Sequence, residues 1–285
     1  MTRLAIMSDL HIDSNAFGDF ELETLIRTLK ARKIDQLHLA GDISNDFYGR
    51  SQTFIDRLSQ DFQVSYNLGN HDMLGLSEAE IRAADFQLQK YGQTSLVSFS
   101  GWYDYAFVPE LSLEQHVKNK NNFWFDRRLQ RSQTDPLITQ DLVQQLRQTL
   151  SNLDGPVIVA LHFVPHQDFL FQHPYFRRFN AFMGSPAFHQ VFCEFGVREV
   201  VFGHLHHRYH RRLIDGVAYQ ARPLGYIREW QLTENFFKAY PQYQLPEMYR
   251  LHKRYHAIKD LASFQAYKEK YLAQEFDQAM TVFEV

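Results

Sequence analysis

Cysteine is all but missing. The chain of 285 residues has one, Cys193, which can close no internal disulfide and build no thiolate metal site. Long apolar runs are missing too. No stretch approaches the roughly 18 residues that a membrane-spanning helix needs, so no span is expected. The first residues run straight into Leu4-Ala5-Ile6-Met7-Ser8-Asp9, without a basic n-region, an apolar h-region or a cleavage site. The expectation is a soluble, cytoplasmic protein. Thirteen glycines and nine prolines are too few for collagen or low-complexity sequence. An excess of one charge is also missing: 30 Lys and Arg face 33 Asp and Glu, a net −3. That is not the electrostatic footprint of a duplex-DNA binder. Histidine, by contrast, is abundant, with 14 residues, and His204, His206, His207 and His210 fall within seven positions. With one thiol available, a metal centre in this chain must draw on nitrogen and oxygen ligands.

The first seventy residues alternate strand and helix. Apolar runs at Leu4–Met7, Ile34–Ala40 and Phe62–Leu68 read as buried strands. Leu22, Leu25, Ile26 and Leu29, then Phe54, Ile55 and Leu58, mark helices between them. Strand–helix–strand order with short connections implies parallel strands and right-handed crossovers. Further on, the pattern predicts a helix over 77–89 and two short strands joined near Gly101 within 95–107. A helix starting at Asp135-Pro136 follows, then a strand over 157–163. A helix after Ser185-Pro186, a strand over 197–202 and a hairpin around Asp215-Gly216 complete this part. Residues 109–135 give no clear period. From Tyr226 the last sixty residues hold thirteen aromatics, with Leu261, Phe264, Tyr267 and Tyr271 at helical spacing. This divides the chain into an α/β body over 1–225 and a helical C-terminal appendage over 226–285.

Strand after strand ends in a metal-ligand residue type: Asp9 and His11, Asp42, Asn70 with His71 and Asp72, His162, then His204 and His206. In α/β sheets the carboxyl ends of parallel strands line one edge, where ligands bind. Residues distant in sequence therefore converge. Gly41, Gly69 and Gly203 precede three of these blocks and let the backbone turn tightly where a ligand must project. Carboxylates, imidazoles and one amide suit a pair of divalent ions such as Mn, Fe or Zn, whereas Ca and Mg favour oxygen-only shells. Two such ions clamp phosphoryl oxygens and lower the pKa of bound water to near 7, which makes hydroxide available as nucleophile.

Asp9-Leu10-His11, Gly41-Asp42, Gly69-Asn70-His71-Asp72, His162 and Gly203-His204-Leu205-His206 resemble, in order and spacing, the calcineurin-like metallophosphoesterase family. The resemblance covers about residues 4 to 206. It implies an α/β fold built as a four-layer α/β/β/α sandwich. It also implies one ion held by Asp9, His11, Asp42 and His206 and another by Asp42, Asn70, His162 and His204, with Asp42 bridging. His71 is then the residue that meets the leaving-group oxygen as acid or hydrogen-bond donor, with Asp72 behind it to orient the ring. Attack on phosphorus by the bridging hydroxide follows from the same resemblance. Protein Ser/Thr phosphatases of the family carry Asp-Arg-Gly after the bridging aspartate and Glu after the Asn-His pair. Here Ile43-Ser44-Asn45-Asp46 and Asp72 stand instead, which points toward the phosphodiesterase and pyrophosphatase branches. The substrate expected is a small phosphate ester, not nucleic acid.

The other conspicuous residues read as structural. His38 sits inside an apolar strand as a satisfied core side chain. His207 and His210 read as strand or turn residues, His252 and His256 as a helix-surface pair, and Cys193 as buried packing. Phe169, Phe171, Tyr175, Phe176, Phe179 and Phe182 surround Arg177 and Arg178. They form either a lid whose arginines meet phosphate or a loop packed on the C-terminal segment, the second being preferred. Arg208, Arg211 and Arg212 read as a solvated strand face. Three rival functions stay open at this stage: a nuclease, which would need a basic channel, a monoesterase, and a metal-binding scaffold without catalysis. Oligomeric state is not visible in the sequence.

Overall fold

The computed structural model describes residues 2–285. Two sheets lie face to face. The first has the order β10-β1-β2-β3: β1 (Arg3–Met7), β2 (Gln36–Ala40) and β3 (Gln63–Asn67) run parallel, and β10 (Thr281–Glu284) pairs antiparallel with β1. The second has the order β4-β5-β6-β7-β9-β8, in which β5 (Thr94–Phe99), β6 (Val157–Leu161), β7 (Glu199–Val201) and β9 (Val217–Ala221) are parallel. The edge strands β4 (Gln87–Tyr91) and β8 (Tyr209–Ile214) are antiparallel to their neighbours.

Period-two alternation makes four layers from these strands. Leu4 and Ile6 of β1 and Ala40 of β2 meet Leu96 of β5, Ile158 and Ala160 of β6 and Val201 of β7 between the sheets. The alternate residues face outward into helices. Ala5, Met7, Leu37 and Leu39 pack on α1 (Asp19–Ala31), α2 (Gln52–Leu58) and the C-terminal helices. Val97, Phe99, Val159 and Leu161 pack on α5 (Asp135–Leu150) and α7 (Pro186–Glu194). The result is the α/β/β/α sandwich. The helix starts carry local signals. Pro occupies the first turn of both α5 and α7, and the Ser185 hydroxyl accepts from the Ala187 N–H at the start of α7.

Several elements differ from the sequence reading. The helix expected over 77–89 stops at Ala84, where α3 (Glu78–Ala84) ends because Asp85 adopts extended backbone. Phe86 then takes φ +54, and Gln87–Tyr91 turns back to pair with β5. The second strand expected before Phe107 is absent. Gly101 and Tyr105 have φ +75 and +69, and the segment carries Trp102, Tyr103 and Tyr105 into the core as a plug, which mimics strand alternation. Residues 109–135 hold a helix, α4 (Leu113–Phe123), that buries little besides His116 and so shows no apolar period. The C-terminal segment contains α8 (Gln231–Ala239), α9 (Leu251–Ile258) and α10 (Ala262–Gln278). It also ends in a strand, β10, that the aromatic pattern does not announce. Cys193 is exposed on α7, not buried.

Candidate metal centre

The carboxyl ends of strands from both sheets converge at one edge. Asp9 and His11 follow β1, Asp42 follows β2 and Asn70 with His71 follows β3; His162 follows β6, and His204 with His206 follow β7. Two groups of side chains offer ligand atoms within 4.8 Å of one another. One is Asp9, His11, Asp42 and His206, the other Asp42, His162 and His204. Asp42 belongs to both: its Oδ2 lies 3.7 Å from His11 Nε2, 3.3 Å from His162 Nε2 and 4.0 Å from His71 Nε2.

The backbone departs from ordinary strand-to-loop geometry to achieve this. Asp9, His11, Asp42, His204 and His206 all have positive φ, between +42 and +71. Left-handed backbone is uncommon outside glycine and is retained where surrounding structure imposes it. The glycines act differently from one another. Gly41 has φ +86. Gly69 does not need a left-handed conformation; a Cβ there would lie 2.2 Å from Asp42 Oδ1, so its role is close approach.

The cluster passes a simple test for cations. His11 Nε2 and His206 Nε2 stand 2.9 Å apart, close to the spacing of two nitrogens each about 2.1 Å from one ion. His162 Nε2 and Asn70 Oδ1 are buried without a partner, which is costly unless something else satisfies them. Burial works against protonating the imidazoles, yet Asp42 draws His162 up to about 9. Hydrogen bonds to Asp9 and Glu229 draw His206 up to about 10 against the same burial. At His11 and His204 burial prevails and the pKa is lowered, so the carboxylates hold positive charge on two of the four imidazoles.

Supporting bonds fix which nitrogen faces inward. His162 Nδ1 donates to Ala40 O at 3.1 Å, and His206 Nδ1 donates to Glu229 Oε2 at 2.9 Å. In each ring Nε2 is left for the centre. Glu229 escaped the sequence reading because it lies 23 residues beyond His206 in a segment with no motif. Asn70 Nδ2 donates to the buried Asp126 at 2.7 Å, so its oxygen faces the cluster. Tyr226 stacks on His11 with ring centroids 4.4 Å apart.

Asp72 does not stand behind His71. Its Oδ2 accepts from the N–H groups of Asp42 and Gly69, and its Oδ1 from those of Ile43 and Ser44. Burial and the Asp42 charge push its pKa up to about 7, opposed by those N–H donors. It therefore clamps the loop that carries Asp42. The partner of His71 Nδ1 is Asn45 Oδ1, at 2.9 Å, and Asn45 Nδ2 donates in turn to Asp13 Oδ2 at 2.7 Å. This amide fixes the ring that the expectation gave to Asp72.

The other conspicuous residues belong to neither ligand group. Arg208 pairs with Glu275 and Arg211 with Glu199, while Arg212 stacks over Tyr209. His207 lines the cavity beside the cluster, and His210 is exposed on β8. Phe169 and Phe182 pack into the core of the second sheet, not onto the C-terminal segment.

Known proteins give the class. The calcineurin-like phosphoesterase family matches residues 2–208. Among solved structures, phosphopantetheinyl hydrolase from Mycobacterium tuberculosis is 20% identical, over 81% of this chain and 92% of that one, with a TM-score of 0.63. A dimetal phosphatase from Danio rerio is 14% identical, over 77% and 86%, with a TM-score of 0.47. At 20% identity the likeness to the first of these is one of fold alone. No curated protein matches by sequence. The chain belongs to the calcineurin-like phosphoesterase family. It is a metal-dependent hydrolase of phosphoric esters.

Proposed function

We propose that the chain hydrolyses small-molecule phosphodiesters or pyrophosphates with two divalent ions, Mn before Fe or Zn. One ion is assigned to Asp9, His11, Asp42 and His206, the other to Asp42, Asn70, His162 and His204. The observation that carries this reading is the sharing of Asp42 between two ligand groups. When bound, the ions neutralise phosphoryl oxygens and make water acidic enough to serve as nucleophile near neutral pH.

The chain's own residues do the rest. The strand ends of two sheets hold the donors rigidly, so little reorganisation accompanies reaction. Asn70, anchored by Asp126, turns its carbonyl oxygen inward. His71 is held by Asn45 with Nε2 toward the site. To protonate a leaving oxygen it must be imidazolium. Burial, with the neighbouring His206 and His162, lowers its pKa against the pull of the Asp42 charge, so the proton must be supplied as the leaving oxygen develops charge. Residues 1–225 are read as the catalytic body and 226–285 as an appendage that adds Glu229 to the support of His206.

The test uses an aryl phosphodiester with Mn supplied. Asp42→Asn should lower kcat at least about a thousandfold, the scale of a lost electrostatic contribution to the transition state. His71→Gln should lose turnover while elemental analysis still finds metal. Full turnover in Asp42→Asn, or loss of metal in His71→Gln, overturns the scheme.

A further inference from the structure

A cavity of about 860 Å³ opens beside the cluster, reaching Asp42, Asn70, His71, His204 and His206. A phosphate group fills a small part of it, and the size suits an organic molecule of tens of atoms. Away from the strand ends its wall is mostly ring and aliphatic carbon. Phe123, Trp124 and Phe125 come from the end of α4 and the turn after it, Phe171 and Phe176 from the connection before α7 that holds the short helix α6 (Pro174–Arg177), and Leu251 from the start of α9.

The wall is held in shape. Phe125 stacks on His71 with centroids 3.8 Å apart. Trp124 stacks on Phe179 and Phe182 at 5.8 and 5.2 Å. At the mouth, Phe123 is 54% exposed and Phe176 46%. Large apolar groups left open beside a polar centre mark a surface that a ligand covers. The cations nearby are otherwise engaged. The Arg178 guanidinium lies 4.8 Å from the centroids of both Phe123 and Phe179, and Arg177 pairs with Glu110 at 3.1 Å. Apart from carboxylates at or supporting the cluster, Arg228 is the one permanent charge on the lining among the described residues. Several phosphates would call for more cations, and the polar side chains of the wall, Gln172, His207, Tyr209 and Tyr226, are a minority beside its apolar ones.

From this we infer that the substrate is a phosphodiester with a bulky, uncharged, apolar ester arm, aryl or long-chain alkyl, which lies against the Phe123–Phe125 and Phe171–Phe176 walls. The inference deepens the hydrolase reading and rests on it for the reaction. The binding contrast stands independently. The aromatic connection over 169–182 is then a wall for the substrate's carbon, and its arginines do not meet phosphate.

Two measurements separate the possible failures. In the first, Mn-loaded protein hydrolyses two matched pairs: methyl ethyl against methyl octyl phosphate, and methyl phenyl against methyl 2-naphthyl phosphate. Each pair keeps the leaving-group reactivity similar. kcat/KM should rise about tenfold or more toward the larger member of at least one pair, a modest share of what burying six methylenes can supply. The pair that responds identifies the arm as alkyl or aryl. Phe171→Ala and Phe176→Ala should each shrink that ratio severalfold. In the second, calorimetry compares octylphosphonate and 2-naphthylphosphonate with methylphosphonate, none of which turns over. The larger ligands should bind about tenfold or more tightly, with the preference reduced in both variants. Apolar preference in binding without hydrolysis of any ester would remove the hydrolase reading and leave the pocket assignment standing. Equal kcat/KM within both pairs together with equal affinity for all three phosphonates overturns the inference.

Discussion

At the scale of single residues, the site was legible wherever a short motif closed a strand. Asp9, His11, Asp42, Asn70, His162, His204 and His206 all come to one edge because parallel strands point the same way. Asn45 and Glu229 were not legible as partners. A hydrogen bond across 26 or 23 positions leaves no local period, and only packing decides which acceptor a ring nitrogen meets. His38 shows the opposite case, where the burial of an apolar strand was enough. Its Nδ1 meets Ser65 Oγ at 2.8 Å and its Nε2 meets Asn67 Oδ1 at 2.9 Å, between the sheets. Burial lowers its pKa to about 4 despite the Asn67 bond. The unfolded chain therefore binds a proton at pH values where the native protein does not, and stability must fall as pH drops from about 6.5 to about 4. A shift of this size corresponds to roughly 3 kcal/mol. Urea unfolding at pH 6.5 and pH 4.5 should show wild type losing more stability than His38→Gln on acidification. Equal losses would mean that His38 is protonated in the native protein.

Elements set by strong local signals were read correctly, and those set by tertiary contact were not. α5 and α7 begin at Pro-led turns with apolar faces, and the β8–β9 hairpin follows Asp215-Gly216. β4 was masked because its sequence continues a helical pattern, and pairing with β5 decides its state. β10 was masked because four residues carry too little period to register. Yet β10 closes the outer edge of β1, with Leu4 opposite Phe283 and Ala5 opposite Val282, and β1 leads directly into Asp9 and His11. Phe283 packs toward the layer between the sheets and Val282 toward the helices. Deleting 281–285 should therefore cost about 2–4 kcal/mol through lost apolar burial and ladder bonds. Metal affinity should weaken with it, because β1, which leads into two ligands, would become an unsupported edge strand. Calorimetric unfolding and Mn titration of the truncated chain check both. An unchanged Tm with full affinity would show that β10 only decorates the sheet.

At the scale of the whole molecule, the centre ties two sheets together. Asp9, His11, Asp42 and Asn70 belong to the first sheet, and His162, His204 and His206 to the second. The inter-sheet layer beneath them is small and aliphatic: Leu4, Ile6, Ala40, Leu96, Ile158, Ala160 and Val201. Without cations, two buried carboxylates, three buried imidazoles and the half-buried His206 face each other at the open end of that layer, and unpaired buried polar groups there work against closure. Bound ions reverse the sign of this contribution, since a ligand that binds only the folded state stabilises it by mass action, about 2.7 kcal/mol at one hundred times Kd. For a domain of this size that corresponds to a rise in Tm of roughly 5–10 °C. Chelator-treated protein should therefore unfold lower, recover on addition of Mn, and still unfold in one transition, because the sheets share a core. Asp42→Asn should remove most of the Mn-dependent rise, as Asp42 is the residue common to both ligand groups. A Tm that ignores both chelator and Mn would show that the strand ends are held by packing alone, and the assignment of cations to bridge the sheets would fall with it.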